Sequence, residues 1–353
     1  MNTLVQAQAA ASMDDTRQKS EGVWHAAWRR YKADRVGMVS LVIVAAFLLL
    51  IVLSFTGIVA KNWQAEVGVP NAPPTIVGPR PPEATGAIEK PSGPNVDLSD
   101  VDPLAPRYQE WDERAAKFKT TETVKAETLP MGADRLGRDV LAKAIKGTEV
   151  SVFVGVLAAI TATALGTLLG ALAGFFGRWV GDFLEWLYNV FESIPGILLI
   201  FAFAAVFGRG IGTVVLILGL TGWTGMYRQV RAEFIKHSNR EYVRAAEAIG
   251  ASAGSRMFRH ILPNVSHVVL VRTSLLAVGF IKAEVILSYL GLGVPVDQVS
   301  WGTMLAEAQS ELILGHWWQL AAATLFMAVF VTAFSLMADA LRDALDPKLR
   351  GLE

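Results

Sequence analysis

Long apolar runs without charged residues constrain this chain more than any other feature of its sequence. The first of them, Val36–Val59, contains no Asp, Glu, Lys or Arg. About 20 such residues, rising roughly 1.5 Å each in an α-helix, cross the hydrocarbon core of a bilayer. Similar runs recur along the chain, which is 52% hydrophobic and has a mean hydropathy of +0.39. The sequence therefore predicts an all-α integral membrane protein and excludes an ordinary soluble enzyme domain.

Hydropathy along the chain predicts six transmembrane helices. They are Val36–Val59, Thr148–Phe176, Phe183–Phe207, Ile211–Tyr227, Asn264–Leu290 and Trp317–Leu341. Pro195-Gly196 lies inside the third helix and predicts a kink there. Three glycines of the second helix, here called the glycine ridge, recur at every fourth position and predict close packing against a neighbouring helix: Gly166, Gly170 and Gly174. The interval 292–315 is predicted to be a loop or a re-entrant segment.

The distribution of Lys and Arg predicts which side of the membrane each loop faces. Four segments carry seventeen Lys and Arg between them: 1–35, Arg178, 228–262 and 342–353. The short loops on the other side carry only Arg209. Since short cytoplasmic loops are enriched in these residues, both termini and the 228–262 loop are predicted to be cytoplasmic.

These assignments divide the chain into five regions. They are a cytoplasmic tail with an amphipathic helix (1–35), the first transmembrane helix (36–59), a periplasmic insert (60–147), a core with transmembrane helices two to six (148–341) and a cytoplasmic C-terminal tail (342–353). Residues 1–20 are predicted to be disordered. The insert holds eleven of the fifteen prolines, which predicts extended or irregular structure with a short helix around Tyr108–Lys119.

A polar and basic stretch, Glu241–Pro263, interrupts the apolar runs and is here called the two-helix segment. Its apolar residues recur at helical spacing in two groups: Tyr242, Ala245, Ala246 and Ile249, then Met257, Phe258, Ile261 and Leu262. Gly250 is placed to end the first helix in a left-handed conformation, and Ser252 to cap the second. Pro263 either stops the second helix or starts the next one.

Charged residues flank both apolar stripes of the two-helix segment. Glu241, Arg244 and Glu247 share one face of the first helix, at a spacing that allows opposite charges to pair. Arg256 and Arg259 lie beside the second stripe. A solvated loop is the simplest interpretation, but such a loop needs less apolar surface. The pattern therefore predicts a helix–turn–helix that docks into a groove of another protein.

The two-helix segment resembles the conserved cytoplasmic loop of ABC importer permeases, E-A-A-x-x-x-G-x(9)-I-x-L-P. The matching positions are Arg244, Ala245, Ala246, Gly250, His260, Leu262 and Pro263. Two of them depart from the pattern, because Arg244 replaces the glutamate and His260 occupies the isoleucine position. The amino-acid sequences of Tyr242–Gly250 and Arg259–Asn264 are similar to those of dipeptide and oligopeptide permeases.

Further segments resemble the same family, so that the resemblance covers roughly Leu129–Arg350. Met131–Val140 is similar to the L-G-T-D-x-x-G-R-D segment before the second helix; it predicts a capped helix start or a loop that orients this helix. Three C-terminal segments are also similar to the family: Ser288–Gly293, Ser300–Gly302 and Leu341–Pro347. The proline-rich insert matches no family pattern.

The resemblance implies a permease subunit of a dipeptide/oligopeptide ABC importer with the type I permease fold, in a bacterial inner membrane. It further implies alternating access and three kinds of partner: a second permease subunit, two ATPases that hold ATP and Mg, and a periplasmic substrate-binding protein. The residues implied to couple to the ATPases are Glu241, Arg244, Ala245, Ala246, Gly250, Arg256, Arg259, Leu262 and Pro263. The cargo stays open among dipeptides, oligopeptides, nickel chelates, glutathione and glycans.

The sequence also predicts what this chain lacks. It has no cysteine and no G-x-x-x-x-G-K-[ST] nucleotide-binding motif. It has neither an H-E-x-x-H motif nor a clustered set of metal ligands. We therefore expect no cofactor, no enzymatic activity and no nucleic-acid partner for this chain.

Four charged residues lie within the predicted spans: Glu192, Arg272, Lys282 and Glu284. A charge at the centre of a membrane is costly, so these side chains are expected to face protein or water. Glu192, Pro195 and Glu284 are candidates for the translocation path, and pairing between helices is the alternative. A proton-coupled secondary transporter that uses Glu192, Lys282 and Glu284 as a relay is a competing hypothesis, as is a membrane scaffold that transports nothing.

Overall fold

The computed structural model describes residues 23–79, 102–104, 107–117, 125–295 and 297–345, which form helices and isolated β-bridges but no strand. The helices are α1 (Val23–Ala33), α2 (Arg35–Phe55), α3 (Tyr108–Lys117), α4 (Val140–Phe176), α5 (Arg178–Glu192), α6 (Gly196–Phe207), α7 (Ile211–Thr221), α8 (Thr224–Ser238), α9 (Glu241–Ala248), α10 (Ala253–Ser255, continued by the π-helical turn Arg256–Ile261), α11 (Leu262–Tyr289), α12 (Trp301–Ile313) and α13 (Trp318–Leu345). The all-α class is thus confirmed. The predicted disordered tail 1–20, residues 80–101 of the insert and residues 346–353 lie outside the described residues.

Three of the described helices, α2, α4 and α13, are long and apolar enough to cross a membrane. The pair α5 and α6 makes a fourth if it counts as one broken span, and α7 is a shorter apolar helix. The predicted fourth span is divided at Gly222 into α7 and α8, and the predicted fifth corresponds to α11. The helix composition is therefore that of a membrane protein, while the number of six spans stays a prediction.

Aspartate caps fix where two of the long helices begin. The carboxylate of Asp34 accepts a hydrogen bond from the Val36 N–H at the start of α2, at 2.9 Å. Asp139 accepts from the Leu141 N–H at 2.8 Å, so that α4 begins at Val140 rather than at Thr148. Both caps satisfy backbone donors that the first turn of a helix leaves free. The second cap confirms the capped helix start predicted in Met131–Val140.

The glycine ridge brings α4 against the backbone of α8. A Cβ atom on any of its glycines would lie only 2.6–2.7 Å from a carbonyl oxygen of α8 or of its N-cap residue. These oxygens belong to Trp223, the N-cap, and to Tyr227 and Arg231. Real Cβ atoms do not approach that closely, so only glycine permits this helix separation. Close backbone contact of this kind is a main source of helix association in lipid. The predicted close packing is confirmed, and α8 is the neighbour.

The predicted kink at Pro195-Gly196 is a full break between α5 and α6, which are bent by 84°. Pro195 has no N–H to continue the helical ladder, and its ring disfavours the helical conformation at Ile194. Residues 192–198 are all exposed at this elbow. The bend leaves α6 largely uncovered by the rest of the chain, with Ala204 as its one buried residue.

Residues on the N-terminal side of α4 form an irregular layer. Isolated bridges join Gly68 to Ala126 and Pro74 to Leu129. The short helix α3 confirms the helix predicted around Tyr108–Lys119. The interval predicted as a loop or re-entrant segment contains α12, whose start is fixed by a capping box between Ser300 and Thr303.

Pro263 starts a helix rather than stopping one. It lies in the first turn of α11, directly after the π-helical turn that continues α10. In that turn the Leu262 N–H bonds to the Met257 carbonyl, five residues back. The wider spacing makes room for a proline, which would clash with the preceding turn of a regular α-helix. The two-helix segment therefore runs without a break into α11.

Candidate coupling surface and membrane-embedded charges

The turn of the two-helix segment is built around Gly250, whose φ is +89°. The N–H of Gly250 bonds to the carbonyl of Glu247, and the N–H of Ala251 bonds to that of Ala246, both at 2.9 Å. This pair of bonds is a Schellman motif, which ends a helix and reverses the chain. Ser252 then caps α10, because its hydroxyl accepts from the Ser255 N–H at 3.3 Å. The predicted left-handed glycine and serine cap are confirmed.

One face of the two-helix segment packs on the helix bundle. Its buried residues are Val243 and Ala246 of α9, and Met257 and Ile261 of the π-helical turn. Val243, Met257 and Ile261 share a core cluster with Val230 and Phe234 of α8 and Val265 of α11. Ala171 of α4 belongs to the same cluster, so that three helices hold this face. The segment is therefore attached as a rigid unit and not as a hanging loop.

The apolar stripe of α9 next to this buried face is largely exposed. Of the stripe predicted from sequence, only Ala246 is buried, whereas Tyr242, Ala245 and Ile249 are exposed. The exposed fraction of Ile249 is 86%, the largest among the exposed large hydrophobic residues of the described chain. Phe258 on the π-helical turn is also half exposed. A fixed helix that presents such residues has the form of a docking element.

Ionic contacts join the two short helices to each other and to α4. The Nη1 atom of Arg256 lies 2.5 Å from Oε1 of Glu247, and its guanidinium lies 5.3 Å from the ring centre of Phe175. Glu241 and Arg244 are exposed and take part in no ion pair among the described residues. The charges on α9 therefore do not pair along its face, and Glu247 pairs across the turn instead.

Tyr242 also anchors α9, which the apolar pattern did not predict. Its hydroxyl lies 2.9 Å from Nδ1 of His237, the histidine in the last turn of α8. Burial raises the pKa of Tyr242 and lowers the pKa of His237, which favours the neutral forms of both groups. The anchor could have been suspected from the phenol, because a half-buried tyrosine usually bonds through its hydroxyl.

The nine predicted coupling residues thus separate by exposure. Ala246 is buried, while Arg256 and Leu262 are partly buried. The exposed ones are Glu241, Arg244, Ala245, Gly250, Arg259 and Pro263. The proposed contact with a partner therefore depends on these six exposed residues.

The membrane-embedded charges lie in three different environments. Glu284 is completely buried; the Ser288 hydroxyl donates to its Oε1 at 2.6 Å. Glu192 and Pro195 are exposed at the elbow, and Lys282 is exposed on α11. No ion pair or hydrogen bond among the described residues connects Glu192, Lys282 and Glu284. The relay hypothesis is therefore not favoured by any direct contact between these three residues in the described part of the chain.

Comparison with known proteins decides which family these features belong to. The family described as binding-protein-dependent transport system inner membrane component matches residues 166–351, which contain the glycine ridge, the elbow and the two-helix segment. The chain belongs to this permease family. The N-terminal TM domain of oligopeptide transport permease C matches residues 22–74, which contain α1 and α2.

Individual relatives of the permease are transport proteins of the same kind. The dipeptide transport system permease protein DppC of Bacillus subtilis is 36% identical over 219 residues, 62% of this chain and 68% of the relative. DppC of Lactococcus lactis is 27% identical over 346 residues, 98% of this chain and 96% of its own length. The glutathione transport system permease protein GsiD of Escherichia coli is 36% identical over 222 residues, 62% and 72% of the two chains. The resemblance to peptide ABC importer permeases is confirmed.

The permease also contains a buried ionic network that no sequence motif predicted. Lys143, in the first turns of α4, is 1% exposed. Its Nζ atom lies 2.7 Å from Oδ2 of Asp134, 2.5 Å from Oε2 of Glu307 and 3.0 Å from Oε1 of Gln319. The side chain of Arg138 also bonds to Asp134, at 2.6 Å. The network ties the loop before α4 to α12 and α13.

Asp134 of this network and Glu311, whose charge interacts with the network, have pKa values shifted in opposite directions. Burial raises the pKa of Asp134, but the charges and hydrogen bonds of Lys143 and Arg138 outweigh it and hold the pKa below its usual value. Burial raises the pKa of Glu311, which accepts from the Arg135 N–H at 3.0 Å. The sequence signal for this network was a lysine near the start of an apolar helix. A lysine in such a position is rarely buried without a partner.

Proposed function

We propose that this permease forms half of the translocation pathway of an ATP-driven importer for dipeptides, oligopeptides or similar small solutes. A second permease subunit completes the pathway, two ATPases hold ATP and Mg, and a periplasmic binding protein delivers the substrate. The family and the names of its relatives support this assignment. The chain itself supplies no nucleotide-binding motif, so the energy enters through contact with its partners.

One observation carries the proposal: a rigid two-helix segment that turns an apolar face away from its own bundle. Val243 and Ala246 are buried on the bundle side of α9, and Tyr242 anchors the helix through His237. Ala245 and Ile249 are exposed beside them. An amphipathic helix of this kind binds by laying its apolar face into a groove. We assign that groove to an ATPase subunit, with Ile249 as the central contact.

The packing of the segment explains how a movement at this surface could reach the membrane. Its buried face contacts α8, and the backbone of α8 lies directly against the glycine ridge of α4. The segment also continues directly into α11. Closure of the ATPases would therefore move α4, α8 and α11 together, which suits an alternating-access cycle between two states of the pathway.

Six spans and a cytoplasmic two-helix segment belong to this proposal. The first, second and sixth spans are α2, α4 and α13; the third is the broken pair α5 and α6, the fourth is α7 with α8, and the fifth is α11. The bias of Lys and Arg supports cytoplasmic termini. Glu192 and Pro195, exposed at the elbow, are proposed to face the second subunit or the path. The full burial of Glu284 favours a structural role for it.

Arg244 is proposed to select the partner. It stands exposed where the family pattern has glutamate, so the matching groove would carry acidic groups. Arg244→Glu should then change affinity for the cognate ATPase.

Replacement of Ile249 tests the proposal. We expect Ile249→Glu to abolish co-purification of the ATPases and ATP-dependent uptake, because it places a charge in the apolar contact. Ile313→Glu is the matched control: Ile313 is 83% exposed at the end of α12, far from the two-helix segment in sequence. Both variants should reach the membrane in wild-type amounts. Normal ATPase capture by Ile249→Glu would refute the assignment of this surface.

A further inference from the structure

A cleft of about 330 Å³ opens where α8, α11 and α13 meet. Four polar side chains line it, one from α8, two from α11 and one from α13: Gln229, His267, Arg272 and Arg342. All four carry N–H groups that can donate hydrogen bonds, and none of the described residues that line the cleft is a carboxylate. The proposed contact with the ATPases does not use these residues.

The two arginines of the cleft have no counter-ion within the part of the chain that the structure describes. No carboxylate of the described residues forms an ion pair with Arg272 or Arg342, and the Nε atom of Arg272 is buried without a hydrogen-bond partner. Asp339 and Asp343 stand near Arg342 along α13 but do not line the cleft. Buried guanidinium donors are normally satisfied, and an anion with several acceptor oxygens is the ligand that best matches these donors.

The remaining lining residues show what else that ligand contains. Val268, Leu275 and Leu345 give the cleft an apolar wall beside the basic groups. Leu345 and Val271 also pack with Ala27 and Tyr31 of α1, the helix predicted to lie at the membrane interface. A free inorganic anion would gain nothing from this wall, whereas an amphiphile with an anionic head would fill both parts.

We propose that the cleft binds the headgroup of an anionic phospholipid of the cytoplasmic leaflet. Its phosphate would lie between Arg272 and Arg342, with His267 and Gln229 as further donors and the glycerol end against the apolar wall. Basic pockets between membrane helices on the cytoplasmic side are suited to such headgroups. The inference depends on the proposed orientation of the chain and is independent of the coupling surface.

Lipid binding to the purified permease complex tests the proposal. The complex in detergent is titrated with dioleoylphosphatidylglycerol, and bound lipid is counted by native mass spectrometry. We expect Arg342→Gln and Arg272→Gln each to weaken binding about fivefold, the effect of one basic residue near an anionic surface. Lys282→Gln removes an exposed charge from the same helix α11 outside the cleft and should leave binding unchanged. Dioleoylphosphatidylcholine, which has a zwitterionic head, should bind wild type and variants equally.

Two results would overturn the proposal. One is equal retention of phosphatidylglycerol by wild type and Arg342→Gln; Arg342 is exposed, so this variant is expected to fold. The other is displacement of the lipid by millimolar inorganic phosphate, which would make the cleft a site for free oxyanions. ATPase co-purification with each variant separates loss of lipid from loss of assembly, because the cleft and the coupling surface use different residues.

Discussion

Arg256 pairs with Glu247 across the Gly250 turn, with 2.5 Å between Nη1 and Oε1. The pair fixes α9 against the π-helical turn, but the two residues are not equally important. The Glu247 side chain is 60% exposed, so water screens its charge. The guanidinium of Arg256 also covers the ring of Phe175 and thereby connects the two-helix segment to α4.

Arg256→Ala is therefore expected to weaken the segment more than Glu247→Ala. The cation–π contact and the stem of Arg256 contribute about 1–2 kcal/mol, whereas an exposed ion pair contributes about 0–1 kcal/mol. Thermal unfolding of the two single variants and of the double variant measures the coupling between them. Equal losses in the two single variants would show that the ion pair alone fixes the turn.

The effect of replacing Gly250 should depend on how readily the new residue adopts a left-handed backbone conformation. Its φ is +89°, and a Cβ atom there would meet nothing within 4 Å. Steric crowding therefore plays no part, and the left-handed conformation costs about 1–2 kcal/mol for an ordinary residue. We expect ATPase capture to fall in the order Asn, Ala, Val at this position, because asparagine accepts that conformation and a β-branched residue resists it.

Gly254→Ala is the control for this series. Gly254 lies four residues further along, in α10, is equally uncrowded and has no positive φ. Wild-type ATPase capture by Gly250→Val would contradict the proposed role of the turn.

The local parts of this site could be predicted because they depend on neighbouring residues. The Gly250 turn, the Ser252 cap and the Asp139 cap each need only a residue type at a fixed distance along the chain. Which face of α9 is buried could not be predicted in this way. Val243 packs with residues of α8 and α11, and Ala246 is buried beside it. Helical periodicity alone cannot choose between this face and the stripe through Tyr242 and Ile249.

Contacts between residues far apart in the chain could not be predicted, for the same reason. Lys143 and Glu307 are separated by 164 positions and meet only after α4 and α12 have packed. The proline at 195 indicated a bend, but its size of 84° depends on how α5 and α6 lie on other helices. A single sequence holds no direct signal for such contacts.

The glycine ridge yields a stability prediction. The Cβ atom of alanine at position 170 would lie 2.7 Å from the carbonyl oxygen of Tyr227, so α4 and α8 would have to separate. Overpacking of this kind costs about 1–3 kcal/mol. We expect Gly170→Ala to lower the midpoint of thermal unfolding in detergent. Gly279→Ala in α11, where a Cβ atom meets nothing within 4 Å, should leave the midpoint unchanged or raise it slightly.

The orientation of the chain can be tested with single cysteines, since the native sequence has none. Lys236 and Glu127 are both exposed, on α8 and in the insert respectively. We expect a membrane-impermeant maleimide to label Glu127→Cys in spheroplasts with intact membranes. Lys236→Cys should react only after the membrane is opened. The reverse pattern would invalidate the cytoplasmic position of the two-helix segment and of the proposed lipid cleft.

Substitutions in the buried network around Lys143 should be among those that lower the stability of the permease most. Lys143→Met leaves Arg138 as the one remaining cation for the carboxylates of Asp134 and Glu307 among the described residues. Loss of one member of a buried ion pair costs about 3–5 kcal/mol, and we expect a loss near the lower end because Arg138 stays. Lys125→Met is the matched control: Lys125 forms a single ion pair with Glu66, whose side chain is 55% exposed. Such a pair contributes about 0–1 kcal/mol. Unfolding in detergent should therefore separate the two variants widely, and similar stabilities would mean that water reaches the Lys143 site and screens its charges.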